Sequence, residues 1–335
     1  MIKKDKVEKI LITRTDRLGD VILTLPLITE VKKVFNNAKV MFFVKKYTEG
    51  LLTGYEGVDE LLIEEDSASF SKKYKLFRSK NPDLVINVKP RFDLALIFFL
   101  LGTKYRIGTG YRWYSFLYNY KVYEHRKISD KHESEYNLNL LKTFFDEVRV
   151  EKNFFFSYDK EEERRLNKKL ELFNFGLKDK FIIIHPGSGG SAKDLPKEKF
   201  SEFIDLFSAE FSAYRIVITG LEKESDIAAE IVKSTRDTFK EKIKDLTGKL
   251  NLRELMILTD HSELFISNST GPVHIAGALN KKIIGFYPNE KPMSDTRWGP
   301  LGNNVIVIKP NSISDDMSKI CASEIMNASK KLLIK

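Results

Sequence analysis

The chain has 335 residues, 42% of them hydrophobic, enough to bury one large core or two of ordinary size, and two domains is the better expectation. Lysine and arginine number 56 against 47 acids, a net charge of +9, which admits an anionic partner such as nucleic acid, a phosphorylated substrate or an acidic membrane surface, without choosing among them. The single cysteine, Cys321, excludes an intramolecular disulfide framework and a cysteine-built zinc site and fits a reducing compartment.

The charged N-terminus runs into a short β-type stretch at 9–13 rather than a signal-peptide core, so a cytosolic location is expected. That stretch ends in the polar loop Thr13-Arg-Thr-Asp-Arg-Leu-Gly-Asp20, ahead of a helical pattern containing Pro26. Asp16 and Asp20 then fall at the carboxyl edge of a first strand, where reactive residues of open α/β sheets lie; a helix N-terminal acid is the competing account of Asp20. The loop is neither a Gly-x-Gly-x-x-Gly dinucleotide fingerprint nor a Walker lysine loop. Further β-type runs at 40–44 and 84–88, each followed by a helical pattern, make a βαβ order. Lys89 and Arg91 stand just past the third run. The most apolar stretch, 94–101, is well short of the ~20 residues a spanning helix needs. The aromatic segment 111–120 suits either a membrane interface or a loop packed on the sheet, with the packed loop preferred. The alternation weakens until a highly charged run at 159–165, which marks a domain boundary: 1–165 and 166–335.

Alternation resumes with strand candidates at 181–185, 215–219, 263–267, 282–286 and 305–308, and a closing amphipathic helix over 318–333. Two junctions stand out. The run Ile182-Ile-Ile-His-Pro-Gly-Ser-Gly-Gly-Ser191, with Lys193 and Pro196 beyond it, exposes backbone N–H groups that can cradle phosphate oxygens; an ordinary strand-to-helix turn explains it equally well. In Ser267-Asn-Ser-Thr-Gly-Pro-Val-His274 a strand ends at a helix start with Pro272 at its first turn, and the unpaired amides attract anions. His274 by itself suits a structural role better than a catalytic one. No Asp-x-Asp pair and no histidine pair with metal-ligand spacing occurs, so a diphosphate would be neutralised by lysine, arginine and helix amides.

Taken in order, these segments resemble the heptosyltransferases of glycosyltransferase family nine. The resemblance is carried by Arg17-Leu-Gly-Asp20 with Pro26, His185-Pro-Gly-Ser188 with Lys193 and Pro196, Leu246-Thr-Gly248, Ser267 to His274, and Arg297-Trp-Gly-Pro300. It implies an α/β GT-B fold, two Rossmann-like doubly wound domains facing a central cleft, with the N-terminal domain taking an acceptor and the C-terminal domain a nucleotide sugar. It leaves room for the last helix to pack back on the N-terminal domain. The implied activity is inverting, metal-independent transfer of a heptose or related sugar from ADP-heptose to a lipopolysaccharide core or lipid A-type acceptor. No cofactor is implied, and the location is peripheral on the inner face of the cytoplasmic membrane. Asp20 matches the general base and Lys193 the phosphate-binding lysine. Gly187, Ser188, Glu222, Ser269, Thr270, Gly271 and His274 match donor-binding positions, and Arg17, Lys89 and Arg91 are the candidates for acceptor contact. Many relatives carry aspartate where this chain has Ser269, which removes a charge there. Two other readings stay open: a GT-B-like sugar-nucleotide epimerase or hydrolase, and a non-catalytic nucleotide-sugar or nucleic-acid binding protein, although no nucleic-acid reader motif is present.

Overall fold

The computed structural model describes residues 4–142, 144, 150–190, 192–311 and 315–334. The chain divides into two compact units, Met1–Ser157 and Tyr158–Lys335. Each is built on a parallel six-stranded sheet. The first holds β1 (Lys9–Thr13), β2 (Lys39–Lys45), β3 (Glu60–Glu64), β4 (Leu84–Asn87), β5 (Tyr105–Thr109) and β6 (Tyr120–Val122), in the spatial order β3-β2-β1-β4-β5-β6. The second holds β7 (Phe181–His185), β8 (Arg215–Ile218), β9 (Ile243–Asp245), β10 (Leu264–Asn268), β11 (Ile283–Phe286) and β12 (Val305–Ile308), in the order β12-β11-β10-β7-β8-β9.

In both sheets the chain steps outward from a central first strand, then returns to its other side. The order therefore reverses between β1 and β4 and again between β7 and β10, and the crevice beyond the carboxyl ends of such a pair is where open α/β sheets take ligands. Register places these ends side by side, with Thr13 opposite Asn87 and Ser267 opposite His185. The central strands read as unbroken apolar runs because helices cover both faces of a parallel sheet; β4 and β7 are buried at every position.

Helix packing follows from sequence period. In the helix Lys197–Glu210, Phe200, Phe203, Ile204 and Phe207 share one face and are buried, at about 1.5–3 kcal/mol for each such side chain. Ile325, Met326 and Leu332 of the closing helix Ala322–Leu333 join the same core, so its apolar face is taken up within the second unit. The division between units falls earlier than the expected 165/166. Asp159 and Glu162 form a reciprocal cap that starts the helix Lys160–Glu171, and Leu166 and Leu170 of that helix pack with Phe181 and Val217 of the second sheet. The charged run at 159–165 is therefore the solvent face of the second unit's first helix, with Arg253 pairing Glu162 at 2.9 Å. Among the described residues no helix is long and apolar enough to cross a membrane.

Candidate active site

In the first unit the loop after β1 gathers charge around a buried guanidinium. Arg14 is 3% exposed and donates to Asp16 (2.7 Å), to Asp20, to Glu133 (3.3 Å) and to the Asn137 amide oxygen (3.2 Å). Asp20 sits in the first turn of the helix Leu18–Ile22, as a helix N-terminal acid, and is paired with Arg14, the residue that follows the carboxyl end of β1. Burial works against the charge on Arg14, but Asp20, Asp16 and Glu133 outweigh it and hold the guanidinium protonated beyond its usual range. Asp16 is pushed up from the ordinary carboxylate value by burial, with Arg14 opposing. Glu133 also accepts from Arg126, and the Lys89 ammonium lies 3.9 Å from Asp16. Three cations thus face three carboxylates at the β1/β4 crevice.

The acceptor candidates separate here. Lys89 stands beside the Asp16–Asp20 cluster, and Arg17 is exposed at the cap of the Asp20 helix. Arg91 is occupied: it donates to Glu64 at 2.6 Å, to the Thr15 hydroxyl at 2.9 Å and to both Asp93 oxygens, a structural clamp between β3 and the start of the helix Phe92–Leu100. Next to the cluster a cavity of about 390 Å³ opens beyond β4, β5 and β6, its wall including Val88, Pro90, Arg112, His125, Arg126 and Lys127. Arg126 belongs to both features, which joins this basic cavity to Asp20 through Glu133 and Arg14.

In the second unit the two glycine-containing junctions are tied together by one side chain. The buried Asn268, last residue of β10, donates to the Pro186 carbonyl at 2.6 Å and accepts from the Leu195 N–H at 2.9 Å, locking the turn after β7 to the turn after β10. The Ser267 hydroxyl lies 3.2 Å from that of Thr270, which precedes the helix Gly271–Ala278. Ser269 is half-buried and hydrogen-bonds the Tyr287 hydroxyl, which itself donates to the Trp298 carbonyl at 2.9 Å. The chain thus uses Ser269 to meet a neutral partner. His274 is buried in the first turn of its helix. Gly277 is required for packing: a Cβ there would run into the Leu301 carbonyl.

The Gly187 turn is shaped from below by Glu224, a residue without a local sequence signal. Its buried carboxylate accepts from the N–H groups of Gly189 (2.9 Å) and Leu221 (2.8 Å) and occupies the space a Cβ at Gly187 would need. His185 donates to or accepts from the Thr219 hydroxyl at 2.9 Å, and burial pushes its proton affinity down to about 4, so the imidazole is neutral. Ser188 hydrogen-bonds Asp194, and Ser191 lies outside the described residues. Lys193 pairs at 3.0 Å with Glu290, beyond β11, in a solvent-accessible contact. Glu222 is exposed after β8, and its carboxylate lies where a Cβ of Gly248 would project, so the Thr247-Gly248 turn and Glu222 adjoin. Among the described residues no group of three or more His, Cys, Asp or Glu is disposed to hold a metal ion.

Known proteins resemble this chain in sequence and fold. The chain is 26% identical over 299 residues to lipopolysaccharide heptosyltransferase 3 of Escherichia coli, covering 86% of this chain and 85% of that one. Its fold matches a glycosyl transferase family 9 protein of Veillonella parvula with a TM-score of 0.85, at 19% identity and 98% and 97% coverage. It likewise matches the ADP-heptose lps heptosyltransferase II of E. coli with a TM-score of 0.82, at 19% identity and 97% and 98% coverage. Residues 71–326 match the model of glycosyltransferase family 9 (heptosyltransferase), and the chain belongs to that family.

Proposed function

We propose that this enzyme transfers a heptose, or a closely related sugar, from its ADP conjugate to a lipopolysaccharide core or lipid A-type acceptor, with inversion and without a metal, while peripherally associated with the cytoplasmic face of the membrane. Family membership and the heptosyltransferases it resembles support the reaction class. The observation that carries the residue assignment is the Arg14-held carboxylate of Asp20 at the carboxyl end of β1, beside a basic cavity suited to an anionic acceptor.

In this reading Asp20 takes the proton of the acceptor hydroxyl as that oxygen bonds to C1 of the sugar, while the bond from C1 to the diphosphate oxygen breaks and its electron pair leaves with the nucleoside diphosphate. Arg14 fixes the orientation of Asp20. Lys193, released from its exposed pair with Glu290, meets the diphosphate, and the turns that contain Gly187, Ser188, Thr270 and Gly271 present backbone N–H groups to it. Glu222 accepts hydrogen bonds from the ribose diol. Lys89 and Arg17, with Arg112 and Arg126 in the cavity, take the acceptor's anionic groups. Arg91 is assigned to the fold of the site and not to the acceptor. The test is Asp20→Asn, which keeps the hydrogen bond to Arg14 while removing the base. Transfer falls by about 100-fold or more while ADP affinity, measured by calorimetry, stays within about twofold. An Asp20→Asn enzyme with wild-type transfer would remove Asp20 from the mechanism.

A further inference from the structure

The helix Phe92–Leu100 is apolar on both sides. Leu94, Ile97 and Phe98 are in the core of the first unit, yet Phe99 and Leu100 are 47% and 55% exposed and Phe92 is 41% exposed. A helix without a polar face is normally buried all round, so the outer face of this one lacks a cover. The neighbouring turn extends it. Tyr114, Leu117 and Tyr118 pack on Ala95 and Leu96 of the helix, while between them Trp113 and Phe116 project outward, 74% and 64% exposed. The Trp113 ring lies 4.8 Å from that of Phe92 at the start of the helix, and Arg106 sits over the Phe99 ring at 5.5 Å near its end, so exposed aromatic rings stand at both ends of this one helix. Several large apolar side chains exposed on one helix and the turn packed against it mark an interaction site.

Charge selects the occupant. Residues 94–123 contain no aspartate or glutamate, in a chain with 47 acids among 335 residues, and they contribute Lys104, Arg106, Arg112 and Lys121. A second copy pairing isologously would set these cations against each other. A bilayer bearing anionic headgroups complements both features: tryptophan and phenylalanine enter the interfacial region while lysine and arginine meet phosphates. We infer that Phe92, Phe99, Leu100, Trp113 and Phe116 form the surface by which this protein docks on an anionic phospholipid bilayer. This deepens the proposed use of a lipid-linked acceptor and rests on that reading for its purpose. The basic cavity lies on the same segment, since Arg112 lines it and Trp113 is its chain neighbour, so docking brings the cavity to the headgroup layer.

The test uses the full chain, without donor or acceptor, and vesicles of phosphatidylglycerol with phosphatidylcholine against vesicles of phosphatidylcholine alone. Wild type co-sediments with the anionic vesicles, and Trp113→Ser/Phe116→Ser lowers the partition coefficient by about tenfold or more. Both side chains are exposed, so the fold is kept, and transfer to a detergent-dispersed acceptor persists. In a Trp298→Phe background, Trp113 is the remaining tryptophan and its emission moves to the blue on adding anionic vesicles. Equal partition of the double variant and wild type, or unmoved emission, overturns the inference. So does a wild-type dimer by light scattering that the double variant loses without any vesicle binding, which assigns the face to a second copy. Failure here leaves the transfer assay untouched, and loss of transfer in Asp20→Asn leaves vesicle binding untouched.

Discussion

Replacing Arg14 by methionine removes the cation at the centre of the first unit's charge cluster. Of its ion-pair partners Asp16 then keeps Lys89, 3.9 Å away and solvent-accessible, Asp20 loses the guanidinium that holds it, and Glu133 keeps Arg126. Removing one member of a buried ionic group costs on the order of 3–5 kcal/mol, a large share of the ~5–15 kcal/mol by which folded domains are stable. The cost depends on pH in a defined sense. Burial already raises the proton affinity of Asp16 in the folded state and Arg14 is the main opposing influence, so its removal raises that affinity further. A carboxyl group whose folded affinity exceeds its unfolded one contributes stability below its unfolded pKa and loses it as pH rises through the folded value. The deficit of Arg14→Met relative to wild type is therefore largest near neutrality and shrinks as pH falls toward the carboxylate range. Urea unfolding followed by fluorescence at several pH values measures it, and Asp16→Asn in the variant background recovers about 1–2 kcal/mol. A deficit under about 1 kcal/mol at pH 7, or one that grows toward acid, would refute a charge-balanced cluster around Arg14.

Three outcomes follow from the second unit and the catalytic assignment. Folded His185 takes up a proton only near pH 4 against an ordinary value of 6.5, so the unfolded chain binds more protons between those limits and stability falls as pH drops through that window. The stability advantage of wild type over His185→Gln narrows by about 3 kcal/mol from pH 7 to pH 4 in parallel melts; a constant difference would mean the imidazole is not held neutral. Glu290→Gln frees Lys193 from an exposed pair worth ~0–1 kcal/mol, so ADP binds up to about fivefold more tightly by calorimetry, and weaker binding would count against Lys193 as the diphosphate ligand. Asp20→Asn separates transfer from donor binding as described above, and product analysis with donor alone yields no free sugar at a rate near that of transfer.

Much of the second unit was legible in the chain. β7 and β11 lie where their apolar runs predicted, because an interior parallel strand covered on both faces is an uninterrupted apolar run, and Gly187 and Gly271 fall at strand-to-helix turns as read. Strands β3, β5, β6 and β9 escaped. Glu60-Leu-Leu-Ile-Glu64 is bracketed by charges at a sheet edge, β5 carries Arg106 and Gly108, and β6 and β9 have three residues each, so none offers a period long enough to separate from a loop. The aromatic segment divided: Tyr114 and Tyr118 went to the core, while Trp113 and Phe116 stayed in solvent. Which side each takes depends on the helix Phe92–Leu100 beneath them, which local composition cannot encode.

Within the candidate site, local sequence determined which residues lie at strand ends, because Asp20, Lys193 and the two glycine turns are each set by a strand, a turn and a helix cap within a few positions of one another. Tertiary structure decided their partners. Glu133 reaches Arg14 across 119 positions, Asn268 joins the Pro186 turn across 82, and Glu224 supports Gly189 across 35. Arg91, which looked well placed for a substrate, is instead bound to Glu64 and Asp93. A charge's role depends on the field of whatever folds against it, and in a parallel sheet each crossover brings that partner from far along the chain.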